Sequence, residues 1–331
     1  MQITEYQSPN LEIPLVNQVI NTYRNERACV LTNTNDEAAC IVGLLKKKGL
    51  NAKLIQSAEG FRFINLAEVR CFLKNVNTDN TSPVIKDECW EQAKQKTLTT
   101  YKEGTCIDYL KEFFTVFERA NRIKYRSDLM DFVFESNLED FCGEGRQTIF
   151  VSTIHKSKGR EFDTVYMLLN NEKADNDERL RKLYVGMTRA KQRLFIHCNT
   201  NVFNGLRGND IVSSRDDKLY PIPDEITMQL TMKDVFLDFF KGKKTQILQL
   251  RSGMPLYFDD GYLRLDTGET VASLSKTKRQ ELQLWTEKGY RVKSAKINYI
   301  VAWKGKDETE ETAVLLPEMV LANEKTLPLH P

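Results

Sequence analysis

The sequence predicts an α/β protein, in which a parallel sheet carries helices on both faces, a helical insertion interrupts it, and a small β-rich α+β domain follows. Three observations carry this reading. Residues 28–55, ACVLTNTNDEAACIVGLLKKKGLNAKLI, read as strand, helix, strand, and a β-α-β unit implies parallel strands joined by a crossover helix. That alternation stops near Lys74 and resumes near Arg146, and the residues between have helical periodicity and little strand character. Beyond about residue 215, short β-rich runs surround one helix.

Each element has its local reason. Ala28–Leu31 is an apolar strand ended by TNTND, and the next helix carries apolar residues at Ala38, Ile41, Val42, Leu44 and Leu45 before three lysines and Gly49 close it. GFRFINLAEVRCFLKNV reads as a short strand followed by an amphipathic helix. RQTIFVST and FDTVYMLLN are two further strands, residues 177–192 a helix, and RLFIHCN a last strand. PIPDEIT is a linker and TMKDVFLDFFKG a helix. PLYFDDGYLRL, GYRVKSAKINYIVAWKG and TAVLLPEMVLA supply strands around the helix SKTKRQELQLWTEKG. The expected organisation is therefore 1–75 with 146–215 as one domain, 76–145 as its insertion, and 216–331 as the small C-terminal domain.

Bulk properties narrow the function. With 331 residues, 41% hydrophobic and 28% charged, the chain is long enough for two or three domains with buried cores. A net charge of +2 provides no global basic field, so any nucleic-acid surface must be local. The seven cysteines lack C-x-x-C spacing and read as reduced thiols, with no zinc site expected. No signal pattern and no run of roughly 18 apolar residues is present, so a cytoplasmic protein without a membrane partner is expected.

Two stretches concentrate chemistry. TIHKSKGREF (153–162) follows an apolar strand, and ligands of doubly wound sheets sit beyond the carboxyl ends of strands. There Gly159 allows close backbone approach, Lys156 and Lys158 bring charge, and Glu161 offers acceptors to sugar hydroxyls. RLRKLYVGMTRAKQRL supplies arginines, the usual partners of phosphoryl groups. Either alone reads more readily as a solvated basic surface than as a site.

Taken in this order, TIHKSKGREF and LYVGMTRAKQRL resemble motifs V and VI of the UvrD/Rep/PcrA group of superfamily-one DNA helicases. TEYQSPNLEIPLVNQV resembles motif IV of that group and GFRFINLAEVRCFL its motif IVa. The resemblance covers 1–75 and 146–210, with 76–145 where the group inserts its 2B domain. It implies a RecA-like domain, the second of two, in an ATP-dependent motor moving 3′ to 5′ on single-stranded DNA. Position by position it implies that Arg189 is the arginine finger, that Glu161 binds the ATP ribose, and that Gly159 lies against the nucleotide. Thr153 and His155 would touch DNA, with Lys156 or Lys158 near phosphate, and Tyr184 and Gly186 would set the motif VI helix against the sheet. Gln7 stands where the group has a second arginine for the γ-phosphate, and Arg160 where it has an apolar residue. The loop would thus join the ribose to the DNA strand. The C-terminal segment is similar to tails of bacterial proteins that fuse RecQ-like and UvrD-like parts.

A motor also needs G-x-x-x-x-G-K-[ST] to cradle phosphates and acidic residues after a strand to hold Mg²⁺. KGKKT (241–245) and KDECW (86–90) fit neither pattern. ATP and Mg²⁺ are therefore expected to depend on an N-terminal RecA-like domain with Walker residues, with the Mg²⁺ ligands upstream, and this chain by itself is expected not to hydrolyse ATP. The alternative is a non-catalytic DNA-binding accessory protein descended from such a helicase. A nuclease is disfavoured because Asp259, Asp260 and Asp266 lack a following acidic-x-Lys strand. In the tail, Tyr257, Phe258, Tyr262, Trp285, Tyr290, Tyr299 and Trp303 alternate with basic residues, which suits either base stacking or a small β core.

Overall fold

The computed structural model describes residues 1–55, 61–76, 82–141, 148–173, 175–305 and 308–324. In chain order the first elements are β1 (Gln2–Tyr6), α1 (Glu12–Thr22), β2 (Ala28–Thr32), α2 (Asn35–Lys47) and β3 (Ala52–Leu54). Four helices follow: α3 (Ala67–Val76), α4 (Asp87–Thr100), α5 (Ile107–Ala120) and α6 (Arg126–Glu135). Then come β4 (Ile149–Thr153), β5 (Phe162–Leu169), α7 (Asp177–Met187), β6 (Ala190–Cys198), β7 (Val212–Asp216) and β8 (Glu225–Gln229). The last are α8 (Lys244–Leu248), β9 (Pro255–Asp259), β10 (Tyr262–Arg264), β11 (Thr270–Ser273), α9 (Lys276–Glu287), β12 (Tyr290–Trp303) and β13 (Thr312–Asn323).

Two compact units result, Met1–Gln56 with Glu144–Met228, and Ser57–Gly143 with Gln229–Pro331. The division differs from the expected one. Residues 57–75 fall with the helical segment rather than with the first sheet, and so does the C-terminal segment from Gln229. The reason is visible in α3, whose Phe72 lies edge-on to Trp90 and Phe114, ring centroids 5.0 and 4.8 Å away. Its apolar face is consumed by aromatic residues of α4 and α5. The expected junction at 145/146 lies outside the described residues.

The first unit is a seven-stranded sheet in the order β3-β4-β2-β5-β6-β1-β7, with every described pairing parallel. Central strands β2 and β4 are buried throughout, as parallel strands covered on both faces must be. Alternation sorts their side chains. Ala28, Val30, Val151, Tyr166 and Leu168 join Leu15, Val19, Ile41 and Leu45 of α1 and α2 in one core. Met167, of opposite parity, faces α7, where a Cβ on Gly186 would stand 2.6 Å from its Cε. Helix α2 begins where TNTND predicts, because Thr34 and Glu37 form a reciprocal capping box. It ends with Gly49 at φ +79° and bonds from Gly49 N to Lys46 O and Leu50 N to Leu45 O, a left-handed glycine cap.

Two expected helices are shorter. The one over 177–192 stops at Met187, because Ala190 onward pairs with β5 and Phe162 N donates to Arg189 O at 2.8 Å. In TMKDVFLDFFKG only the 3-10 turn Leu237–Phe240 forms. There Asp234 accepts from Thr231 N and Oγ1, and Phe236 N donates to Ser273 O, so the segment runs extended. The short strand expected before α3 is instead the 3-10 turn Phe63–Asn65.

In the second unit α3 to α6 enclose an aromatic cluster, and the second sheet has the order β11-β10-β9-β12-β13-β8. Its β12 and β13 form a long antiparallel pair with two register shifts, longer than the short runs expected. The β9–β10 hairpin turns on Asp260 (φ 42°) and Gly261 (φ 79°), the paired positive φ values that favour Asp-Gly in two-residue turns. Tyr290 and Tyr299 are core residues, whereas Tyr257 is 59% exposed. The tail aromatics therefore divide between core and surface.

Glu68 is fully buried on α3. Its Oε1 accepts from Ser252 Oγ at 3.2 Å and its Oε2 meets no partner. Burial pushes its carboxyl up to about 7, with its own backbone, Ser252 and Arg251 opposing. The folded state therefore holds this proton more tightly than the unfolded chain does. Stability is full below the ordinary value of 4.5 and is lost as pH rises toward 7. A loss of roughly 3 kcal/mol is expected between those limits, at about 1.4 kcal/mol per pH unit. Thermal melts at pH 5 and pH 8 should show it, and Glu68→Gln should flatten the difference. An equal slope in the variant would assign the effect elsewhere.

Candidate functional site

The register of the first sheet locates both concentrated stretches. Thr153 lies level with Thr32, at the carboxyl edge, and Thr164 lies level with Ala28 near the amino edge. Residues 154–161 therefore run back along the sheet, over a strand length of about 17 Å at 3.3 Å per residue. Only the start of this segment lies beyond the carboxyl ends of the strands. Its second half delivers Arg160 and Glu161 to the opposite edge.

At the carboxyl edge, Thr153 is 7% exposed and Ile154 is buried, while the 3-10 turn His155–Ser157 turns His155 outward. Ser157 is buried and donates to Ile154 O at 2.8 Å, pinning the turn. Lys156 is half-buried and donates to Asn35 Oδ1 at 2.9 Å, which ties the loop to the start of α2. Lys158 and Gly159 are exposed. Gly159 has φ +83° with open space about its missing Cβ. Backbone sign, not crowding, is what favours glycine there.

At the amino edge four residues converge. Arg189 donates from Nη1 to Arg160 O at 3.1 Å, from Nε to Val185 O at 2.9 Å and from Nη2 to Thr188 Oγ1 at 3.2 Å. Its guanidinium is half-buried and, among the described residues, is paired with no carboxylate. Glu161 is exposed and pairs with Lys191 at 3.2 Å. Arg27, just before β2, closes this edge by accepting from Asp163 N at 2.8 Å. Arg27 and Lys191 escaped the sequence reading; their position immediately before or at the start of a strand is the signal that marks this edge.

Gly186 lets the end of α7 settle on Met167 and Ile154. Tyr184 does not help to seat that helix. It is 69% exposed, and Leu183, one residue earlier, is the buried contact. The helical turn of 100° per residue puts the leucine inward and the tyrosine outward.

Gln7 is not brought to this group. It is exposed at the carboxyl end of β1 and donates its backbone N–H to Asp216 O. Glu5 is level with Cys198, at the far end of the nine-residue strand β6 from Arg189. That separates Gln7 from Arg189 by about 30 Å, too far for one nucleotide phosphate.

The residues at the amino edge fit a nucleotide. A carboxylate-free guanidinium suits a phosphoryl group. Glu161, held only by an exposed lysine pair of small energetic value, suits a ribose hydroxyl. They do not form an Mg²⁺ site, since Glu161 already faces Lys191, Glu26 pairs with Arg193, and Asp163 accepts from the backbone N–H of Arg27. Among the described residues no three His, Cys, Asp or Glu side chains are grouped to hold a metal ion, and no helix is long and apolar enough to cross a membrane.

The two concentrated stretches thus reach opposite edges of one sheet. Residues 79–201 match the UvrD-like helicase C-terminal domain family. ATP-dependent DNA helicase Rep of Buchnera aphidicola subsp. Schizaphis graminum is 25% identical over 232 residues, 61% of this chain and 33% of the relative. The putative ATP-dependent DNA helicase YjcD of Bacillus subtilis is 38% identical over 86 residues, 21% of this chain and 10% of the relative. A solved C-terminal domain of a possible DNA helicase from Lactobacillus plantarum WCFS1 aligns over 64% of this chain and 83% of its own, at 13% identity and a TM-score of 0.33, too loose to argue from. The chain is thus similar to the C-terminal half of UvrD/Rep-like helicases, and it spans about a third of the first relative and a tenth of the second.

Proposed function

We propose that this chain is the second motor-domain portion of an ATP-dependent DNA helicase that moves 3′ to 5′ on single-stranded DNA. The observation that carries the reading is the course of residues 154–161, which tie His155 and Lys156 at one sheet edge to Arg160 and Glu161 at the other. Arg189 places positive charge on the γ-phosphate, Glu161 accepts from the ribose, and Gly159 gives the loop its turn beside them. His155, Lys156 and Lys158 meet the DNA strand, with the buried Thr153 setting the base of that loop. ATP bound with Mg²⁺ supplies the phosphoryl group whose transfer drives the motor. Its phosphate cradle and metal ligands come from an N-terminal RecA-like domain, so this chain alone does not turn ATP over. A shift of Arg160 toward phosphate pulls on the same backbone that positions His155, and nucleotide state is thereby transmitted as grip. The adjacency of Arg189 and Glu161 favours this over a purely DNA-binding accessory protein, which has no use for either.

The test is binding of a labelled single-stranded oligonucleotide to this chain across a salt series. His155→Ala with Lys158→Ala should weaken binding and lower the salt slope by about 0.7, the share of one phosphate contact on a single strand. An unchanged slope and affinity would remove the loop from the DNA path.

A further inference from the structure

We infer that a cationic groove in the second unit is a further binding site for single-stranded DNA, an inference that rests on the DNA-binding reading above. The groove, of about 460 Å³, runs between α3 and α6 and is lined by Arg62, Arg70, Lys74, Ile64, Leu73 and Phe134, among others. Arg70, Leu73 and Lys74 share one face of α3, with the two cations one turn apart. Phe134 stands on α6 and is 49% exposed, so an apolar ring faces solvent beside three positive groups.

The groove is short of anions. Among the described residues neither Arg62 nor Lys74 is in an ion pair. Arg70 meets Glu311 at 2.8 Å, with both side chains 39% exposed, the exposed kind of pair that a phosphate displaces at little cost. Its Nε is buried and meets no acceptor, and an unpaired donor on a cation is expensive to leave dry. Phosphates on the cations and a base on the exposed ring are the two contacts by which proteins hold single strands without sequence preference.

The C-terminal sheet, which carries more aromatics, lacks this charge surplus. Arg264 is paired with Asp259, Lys296 with Glu318, Arg291 with Glu324, and Arg279 is spent on carbonyls and on the ring of Tyr262. These four cations are engaged in place, whereas in the α3–α6 groove only Arg70, among the described residues, is in an ion pair.

The experiment is anisotropy of a labelled oligothymidylate with the 331-residue chain across a salt series. Arg62→Ala with Lys74→Ala should lower the salt slope by about 1.4 and weaken binding about tenfold at low salt. Phe134→Ala should weaken binding about fivefold or more at an unchanged slope. All three side chains are exposed, and circular dichroism should confirm that the variants fold. If the groove variants bind as wild type while His155→Ala with Lys158→Ala is impaired, the groove assignment falls and the motif loop stands. If the groove variants are impaired and the loop variant is not, the reverse holds. A wild-type chain that fails to bind the strand overturns both. If an oligoglutamate peptide displaces the strand from wild type and Phe134→Ala is silent, the groove takes an acidic protein segment and the DNA assignment is overturned.

Discussion

Replacing Arg189 by alanine, in a protein that joins this chain to a motor domain bearing the phosphate cradle and the Mg²⁺ ligands, is expected to lower kcat for ATP hydrolysis by about 10³–10⁵. The loss should fall on kcat rather than KM, because a charge set against the γ-phosphate matters most as that charge redistributes in the transition state. Arg189→Lys should recover little. Lysine keeps the charge but has no planar fork to hold Val185 O and Arg160 O while facing a ligand. Glu161→Ala is the useful contrast, since a ribose contact should appear mainly in KM. A fall in kcat below tenfold for Arg189→Ala would deny the residue its role. Turnover by the 331-residue chain alone, abolished by the same substitution, would show that the phosphate cradle is here after all.

The second large effect is on stability. Phe113 is 1% exposed and its ring lies within 6.2 Å, centroid to centroid, of Phe63, Phe72, Phe114, Phe117, Phe132 and Phe141. Truncation to alanine removes the ring from the middle of a cluster whose neighbours sit on three helices and two 3-10 turns. It should cost about 3–5 kcal/mol and lower the melting midpoint of the second unit by roughly 10 °C. Oligonucleotide binding by the first unit's loop should survive at low temperature. A midpoint shift of a degree or two would mean that the neighbours collapse into the space and that the cluster is not the keystone of that unit.

Much of the candidate site was legible as residues but not as a place. TIHKSKGREF and LYVGMTRAKQRL named His155, Glu161 and Arg189, because polar groups clustered after an apolar strand have no packing explanation. Which edge each residue occupies depends on strand register, which no local pattern contains. Gln7 illustrates this: its motif position suggested a partner for Arg189, and the parallel pairing of β1 with β6 puts the two at opposite ends. Lys156 illustrates the converse, a residue of loop character that tertiary contact with Asn35 anchors. TMKDVFLDFFKG has helical periodicity, yet the side chain of Asp234 and pairing with Ser273 and Leu274 overrode it.

By itself the sequence determined the periodicities, and with them the α/β class, the capped helix after TNTND, the helical insertion and the β-rich end. These are local, set by side-chain spacing, capping oxygens and glycine conformation within a few residues. Only the tertiary structure decided that α3 packs with the insertion's aromatics, that residues 154–161 cross the sheet from edge to edge, and that Arg62, Arg70, Lys74 and Phe134 share one groove. Those outcomes follow from which apolar faces find each other over long sequence separations, and from the sheet register that such burial fixes.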